Sequence, residues 1–107
     1  AAAVGKAVMI DFTATWCAAC RELENGPFSD PSVITAATNF VKLRVDGTDA
    51  GGKMLLDARK RFGMRTQTFP VIIFLDATGR EIRPARVTGY IDSREMIKRI
   101  STMQNYE

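Results

Sequence analysis

At 107 residues the chain has room for one domain built around one modest core. Apolar residues at 46% and charged residues at 25% are globular proportions, which exclude a disordered chain. The net charge of +3 is dispersed, and its one tight run, Arg59-Lys60-Arg61, lacks interleaved aromatics and reads as a solvated helix face, so nucleic acid is not an expected partner.

Residues 1–6 read as a ragged lead-in; the opening AAAVGKAVMIDF lacks the basic start of a signal peptide and soon meets Asp11. From Ala7 to Thr13 the chain is mostly apolar, as expected of a strand covered on both faces. A helix is expected from about Cys17 until Gly26-Pro27 stops or kinks it. Asp30-Pro31 places an N-cap before a proline at the first helical position and opens a short segment with Val33, Ile34 and Ala37 inward. Phe40 to Asp46 alternates, so a second strand is expected with Val41, Leu43 and Val45 on one face.

Gly47 to Gly52 reads as loop, and Lys53 to Phe62 as a helix with Met54, Leu55, Ala58 and Phe62 on its buried stripe and Gly63 as its stop. Thr66 to Phe69 is a connector ending at Pro70, and Val71 to Leu75 a third, buried strand. The apolar run from Phe69 to Leu75 is the longest in the chain and far too short to cross a bilayer, so direct membrane insertion is not expected. Asp76 to Gly79 makes a turn, and Arg80 to Gly89 an edge strand, the one setting that tolerates Pro84. Asp92-Ser93-Arg94-Glu95 has the form of a capping box before a helix with Met96, Ile97, Ile100 and Met103 inward. The order βαβαββα predicts an α/β fold, a mixed sheet of about four strands flanked by helices, in a single domain spanning residues 1–107.

The chemistry lies where the first strand hands over to the first helix, in VMIDFTATWCAACRELE (Val8 to Glu24). A thiol at the first turn of a helix faces unpaired backbone N–H groups and the positive end of the dipole, both of which favour the thiolate. A second thiol three residues on lies one turn away, close enough for a disulfide. Cys17 is therefore read as the attacking thiol and Cys20 as the resolving one. A C-x-x-C pair alone is also shared by zinc knuckles and passive clips. Here these are the only two cysteines and there is no histidine, so a tetrahedral zinc site would lack two of its usual ligands. Dithiol chemistry, which needs no metal or organic cofactor, is the stronger reading. Cysteine usage alone does not fix the compartment.

Trp16-Cys17-x-x-Cys20 after such a strand resembles the thioredoxin superfamily. Within it, DFTATWCAACRELE, PFSDPSV (Pro27 to Val33) and ARVTGYID (Ala85 to Asp92) are closest to the C-terminal thioredoxin-like domain of the bacterial disulfide reductases called DsbD. The resemblance runs from about Lys6 to Ile100. It implies a thioredoxin-like fold and a protein-disulfide reductase that passes electrons from a membrane-embedded domain to an amino-terminal domain of the same protein, on the periplasmic side of the inner membrane. It also implies that the chain is excised from a longer membrane protein. The residues also admit a free-standing thioredoxin, periplasmic or cytoplasmic, or a binding or chaperone-like module with structural cysteines.

Six further residues gain meaning from the resemblance. Asp11, alone, reads equally as a strand-end aspartate bonded to loop N–H groups; the family places an acid here behind the disulfide, to move the proton of the buried cysteine. Glu24 shares a helix face with both cysteines, and the DsbD branch has an acid there. Trp16 becomes a shield for the thiols. Pro70, by spacing only a strand-start residue, matches the family's cis-proline, and the backbone of Phe69 before it would pair with a bound partner. Lys42, in KLxVD, matches a lysine that approaches the buried aspartate, and equally well reads as a plain exposed strand lysine. Two departures stand out: the stretch from Gly63 to Pro70 is about two residues longer than the usual family loop, and Val71 replaces a common threonine.

Overall fold

The computed structural model describes residues 6–49, 51–64 and 69–104. Strand β1 (Val8–Thr13) is the centre of the sheet. It pairs in parallel with β2 (Val41–Asp46) and antiparallel with β3 (Val71–Leu75), which in turn pairs antiparallel with the two-residue β4 (Val87–Thr88). The sheet order is β2-β1-β3-β4, a mixed four-stranded sheet as the element order predicted.

The parallel pairing of β1 and β2 needs a crossover, supplied by α1 (Ala18–Asn25), a 3-10 turn (Pro27–Ser29) and α2 (Pro31–Ala36). Gly26 and Pro27 end α1 where expected. Asp30 caps α2 by accepting the Ser32 N–H at 2.9 Å. Helix α3 (Lys53–Phe62) ends at Gly63, whose φ of 64° is the left-handed conformation that suits glycine. Helix α4 (Ser93–Gln104) starts at Asp92, whose carboxylate accepts the Glu95 N–H at 2.9 Å; Glu95 itself turns to Arg99 instead of completing the capping box.

Strand alternation sends Met9, Ile72, Phe74 and Val87 to one face, against Leu23 of α1, Val33 of α2, and Met96, Ile100 and Met103 of α4. Val8, Ile10, Phe12, Val71 and Ile73 go to the other face, against Leu55 and Phe62 of α3. β3, fully buried, is apolar at every position.

Several expectations fail at the margins. The strand expected from Arg80 to Gly89 is only Val87–Thr88 plus a single bridge between Leu75 and Glu81, and Pro84 sits in a 3-10 turn (Arg83–Ala85). The helix expected from Cys17 begins one residue later, with Cys17 as its N-cap. Ile34, Leu43 and Met54 are exposed, where inward positions were expected, and Ile97 is only half-buried. Leu43 lies on β2, the sheet edge among the described residues. Met54 stands off a stripe that centres on Leu55, Ala58 and Phe62. Most of the lead-in, Ala50 of the Gly47–Gly52 loop, and residues 65–68 of the longer connector lie outside the described residues.

Candidate active site

β1 delivers the chain to the site. After Thr13 it turns through Ala14 and Thr15 to Trp16, and the Cys17 N–H bonds to the Ala14 carbonyl at 3.2 Å. Cys17, extended at φ −93° and ψ 107°, caps α1, and its sulfur accepts the Cys20 N–H at 3.1 Å. That is the orphan donor a helix start leaves for an anion, here aimed at sulfur. Cys17 and Cys20 are joined by a disulfide with their Cα atoms 5.3 Å apart. Both are buried, in a small cluster with Ala14 against which Ala19 and Phe69 pack.

Phe69 and Pro70 reach the site from the start of β3, and the peptide bond between them is cis. The Phe69 ring lies 5.6 Å from that of Trp16, which is half exposed. The Pro70 carbonyl accepts the Gly89 N–H at 2.8 Å, tying this strand start to β4.

The loop after β2 braces the approach to the cysteines. The Thr48 hydroxyl accepts the Thr15 N–H at 2.9 Å and donates to the Asp46 carboxylate, and the Thr48 carbonyl accepts the Trp16 indole N–H at 3.4 Å. Gly47 lies under the Phe69 ring, where any Cβ would overlap it. Gly47 and Thr48 were missed from the sequence; a Gly-Thr step after a strand looks like any turn, and only the fold brings it to the cysteines.

Asp11 projects from β1 to the face covered by α1. Burial, the largest influence, raises its carboxyl from 3.8 to about 6; the nearby Arg44 lowers it and Glu24 raises it. Glu24, on α1 one turn beyond Cys20, sits 3.4 Å from the Arg44 guanidinium. Strand register places Arg44 directly beside Asp11, while Lys42 lies beside Met9. The cation whose field reaches the half-buried acid is therefore Arg44, and Lys42, exposed, fits the plain strand lysine of its two readings. Alternation alone puts Lys42 and Arg44 on one face, but the choice between them needs the register. Among the described residues no cluster of His, Cys, Asp or Glu suited to a metal ion occurs.

A family model described as "Thioredoxin-like domain" matches residues 1–104. The chain belongs to the thioredoxin-like domain family. Curated relatives of this thioredoxin-like domain include the thiol:disulfide interchange protein DsbD of Salmonella paratyphi A, 43% identical over 95 residues, and that of Vibrio vulnificus, 37% identical over 102 residues. These alignments cover 87% and 94% of this chain, which spans only 16% of each relative's length. Among solved structures, the oxidised C-terminal domain of DsbD from Neisseria meningitidis superposes with a TM-score of 0.73 at 22% identity, covering 91% of this chain and 79% of that one. A thioredoxin from Thermus thermophilus superposes at 0.76 with 21% identity, covering 94% and 75%. The thioredoxin-like fold expected from the motif is thus the fold observed.

Proposed function

We propose that this thioredoxin-like domain is a protein-disulfide reductase working by dithiol–disulfide exchange. The observation that carries the reading is the Cys17 sulfur at the N-cap of α1, receiving the Cys20 N–H while bonded to Cys20. In the reduced protein the Cys17 thiolate attacks one sulfur of a partner disulfide and forms a mixed disulfide. Cys20 then loses its proton to Asp11 and attacks the Cys17 sulfur. The bond from Cys17 to the partner breaks, and the partner leaves as a thiolate, two electrons richer. Trp16 and Phe69 line the approach, and the backbone at Phe69-Pro70 offers an edge for the partner chain. No metal or organic cofactor enters this scheme.

The curated relatives carry the name thiol:disulfide interchange protein. By that likeness, the donor is a membrane-embedded domain and the acceptor an amino-terminal periplasmic domain of one longer protein, in which residues 1–107 form a single domain. Among the described residues no helix is long and apolar enough to cross a membrane.

Trapping tests the roles. With a disulfide-bonded protein as substrate, Cys20→Ser is expected to accumulate a covalent complex and Cys17→Ser none, read on non-reducing gels. Equal trapping by both variants would overturn the assignment. Two thiols inert to alkylation after mild reduction would favour a binding module with structural cysteines.

A further inference from the structure

Gly47 and Thr48, just beyond β2, meet the end of β1, the turn into α1 and the approach to β3 at once. The Gly47 N–H donates to the Thr13 carbonyl at 2.6 Å, extending the pairing of Thr13 with Asp46 by one bond. Asp46 then folds the loop back, its carboxylate accepting the Thr48 N–H at 2.9 Å and the Thr48 hydroxyl. Turned this way, Thr48 takes the Thr15 N–H on its hydroxyl and the Trp16 indole N–H on its carbonyl. Gly47 is buried, and the tip of the Phe69 ring occupies the place where a side chain would begin.

We propose that Gly47 and Thr48 are positioning residues that give the exchange reaction a preference for partner disulfides with an apolar residue next to the attacked cysteine. The inference rests on the exchange reaction proposed above and adds to it the choice of partner.

The two residues act through the aromatic pair they hold. Trp16 and Phe69 pack with ring centroids 5.6 Å apart and tilted planes, an arrangement aromatic rings favour. Phe69 also packs on the cluster of Ala14, Cys17 and Cys20, so one end of the pair stands at the disulfide. The other end is open, with Trp16 53% exposed. An indole on an unbraced turn would have to be ordered by the partner, at the partner's cost in affinity. Here Thr48 already holds its polar edge, and Gly47 gives Phe69 room to lie against it. An apolar side chain beside the partner's cysteine therefore meets a wall that is ready, while a polar one loses water there and gains no bond. A Cβ at position 47 acts only through Phe69, whose ring must swing off its seat and so out of its pose toward Trp16. Thr48→Val acts only through the turn, because it keeps the shape of the side chain and leaves the Thr15 N–H without its acceptor.

The test uses two peptide dimers, each of identical chains joined by one disulfide, which differ only in leucine or serine before the cysteine. The reduced protein is reacted with each, and the ratio of the second-order rate constants gives the preference. A ratio of about ten for leucine over serine is expected in the wild type, falling to about two in Gly47→Ala and in Thr48→Val. Thr48→Ser restores the hydroxyl and with it the wild-type ratio. In a Phe69→Leu background, where no ring lies over Gly47, Gly47→Ala changes the ratio no further. Trp16 is the only tryptophan of the chain, so its single indole N–H resonance reports the displaced pair in the oxidised protein and is expected to shift in both variants. Thr48→Val adds no atom beneath Phe69 and decides the matter should Gly47→Ala fail to fold. A ratio unchanged in the folded variants overturns the proposal, as does a wild type that reduces both dimers at one rate. A wild type that reduces neither removes the exchange reading itself, and the proposal with it.

Discussion

Asp11 is a carboxylate placed where its own charge is unwelcome. Its carboxyl is raised from 3.8 to about 6, chiefly by burial, so between these values the folded chain holds a proton that the unfolded chain has lost. Protein stability then falls as pH rises through that window, and above about pH 6 the full penalty is present. With allowance for partial exposure, the penalty is on the order of 2 kcal/mol. Asp11→Asn should therefore stabilise the oxidised protein by roughly that amount near neutral pH and change little below about pH 4, in urea unfolding followed against pH. In the proposed mechanism the same substitution removes the base for Cys20, and it should slow resolution on the order of a hundredfold. A gain in stability coupled to a loss in rate marks a residue retained for chemistry. Unfolding midpoints that differ equally at both pH values would assign Asp11 an ordinary structural role.

At the scale of elements, the site depends on strands being held in register far from the cysteines. The Arg86–Glu81 pair does this at the β4 edge: both side chains are 11% exposed, and Arg86 donates to Glu81 and, at 2.7 Å, to the Phe62 carbonyl at the end of α3. Arg99 of α4 donates to the Arg86 backbone carbonyl, so α3 and α4 are both tied to Arg86 beside β4. Glu81→Gln leaves that cation without its counter-charge and is expected to cost about 3 kcal/mol in urea unfolding, because a buried pair broken on one side strands a charge. Asp57→Ala, which breaks the fully exposed i,i+4 pair with Lys53, should leave the unfolding midpoint where it was. An equal effect of the two would mean that burial is not what gives the first pair its weight.

This arrangement also explains what could be read in advance. β1, α1 and the cysteine pair were legible because their signals are local: an apolar run, a helix start and a spacing. The caps at Asp30 and Asp92 and the stop at Gly63 were legible for the same reason. The shortness of β4 was not, since it follows from Pro84 in a 3-10 turn and from Arg86 drawn toward α3, partners distant in sequence. Nor was Arg44, because the register that sets it beside Asp11 is a property of two strands and of neither alone. Amphipathic patterning misplaced Ile34, Leu43 and Met54 because it marks an apolar face without saying whether anything covers it.

For the molecule as a whole, stability and direction of electron flow are one quantity seen twice. Oxidised and reduced, folded and unfolded states form a thermodynamic cycle. A folded protein that is more stable oxidised than reduced therefore has a disulfide harder to reduce than that of its own unfolded chain. The loop closed by Cys17 and Cys20 is short, and chain entropy alone favours the oxidised protein by about 2 kcal/mol. The Cys20 N–H at the Cys17 sulfur works the other way, since it stabilises a thiolate and hence the reduced form. In the proposed mechanism half-buried Asp11 and Glu24 restore the balance, through negative charges that penalise that thiolate. A domain that donates electrons needs the first and third effects to outweigh the second. The oxidised protein should then unfold at higher denaturant than the reduced one, by about 2 kcal/mol, which corresponds to ~40 mV in the reducing direction. Guanidinium unfolding of both forms gives the difference, and equilibration with a glutathione buffer gives the same difference independently. Asp11→Asn and Glu24→Gln should each narrow it, by relieving the thiolate. A reduced form more stable than the oxidised one would reverse the direction and make this domain an oxidant.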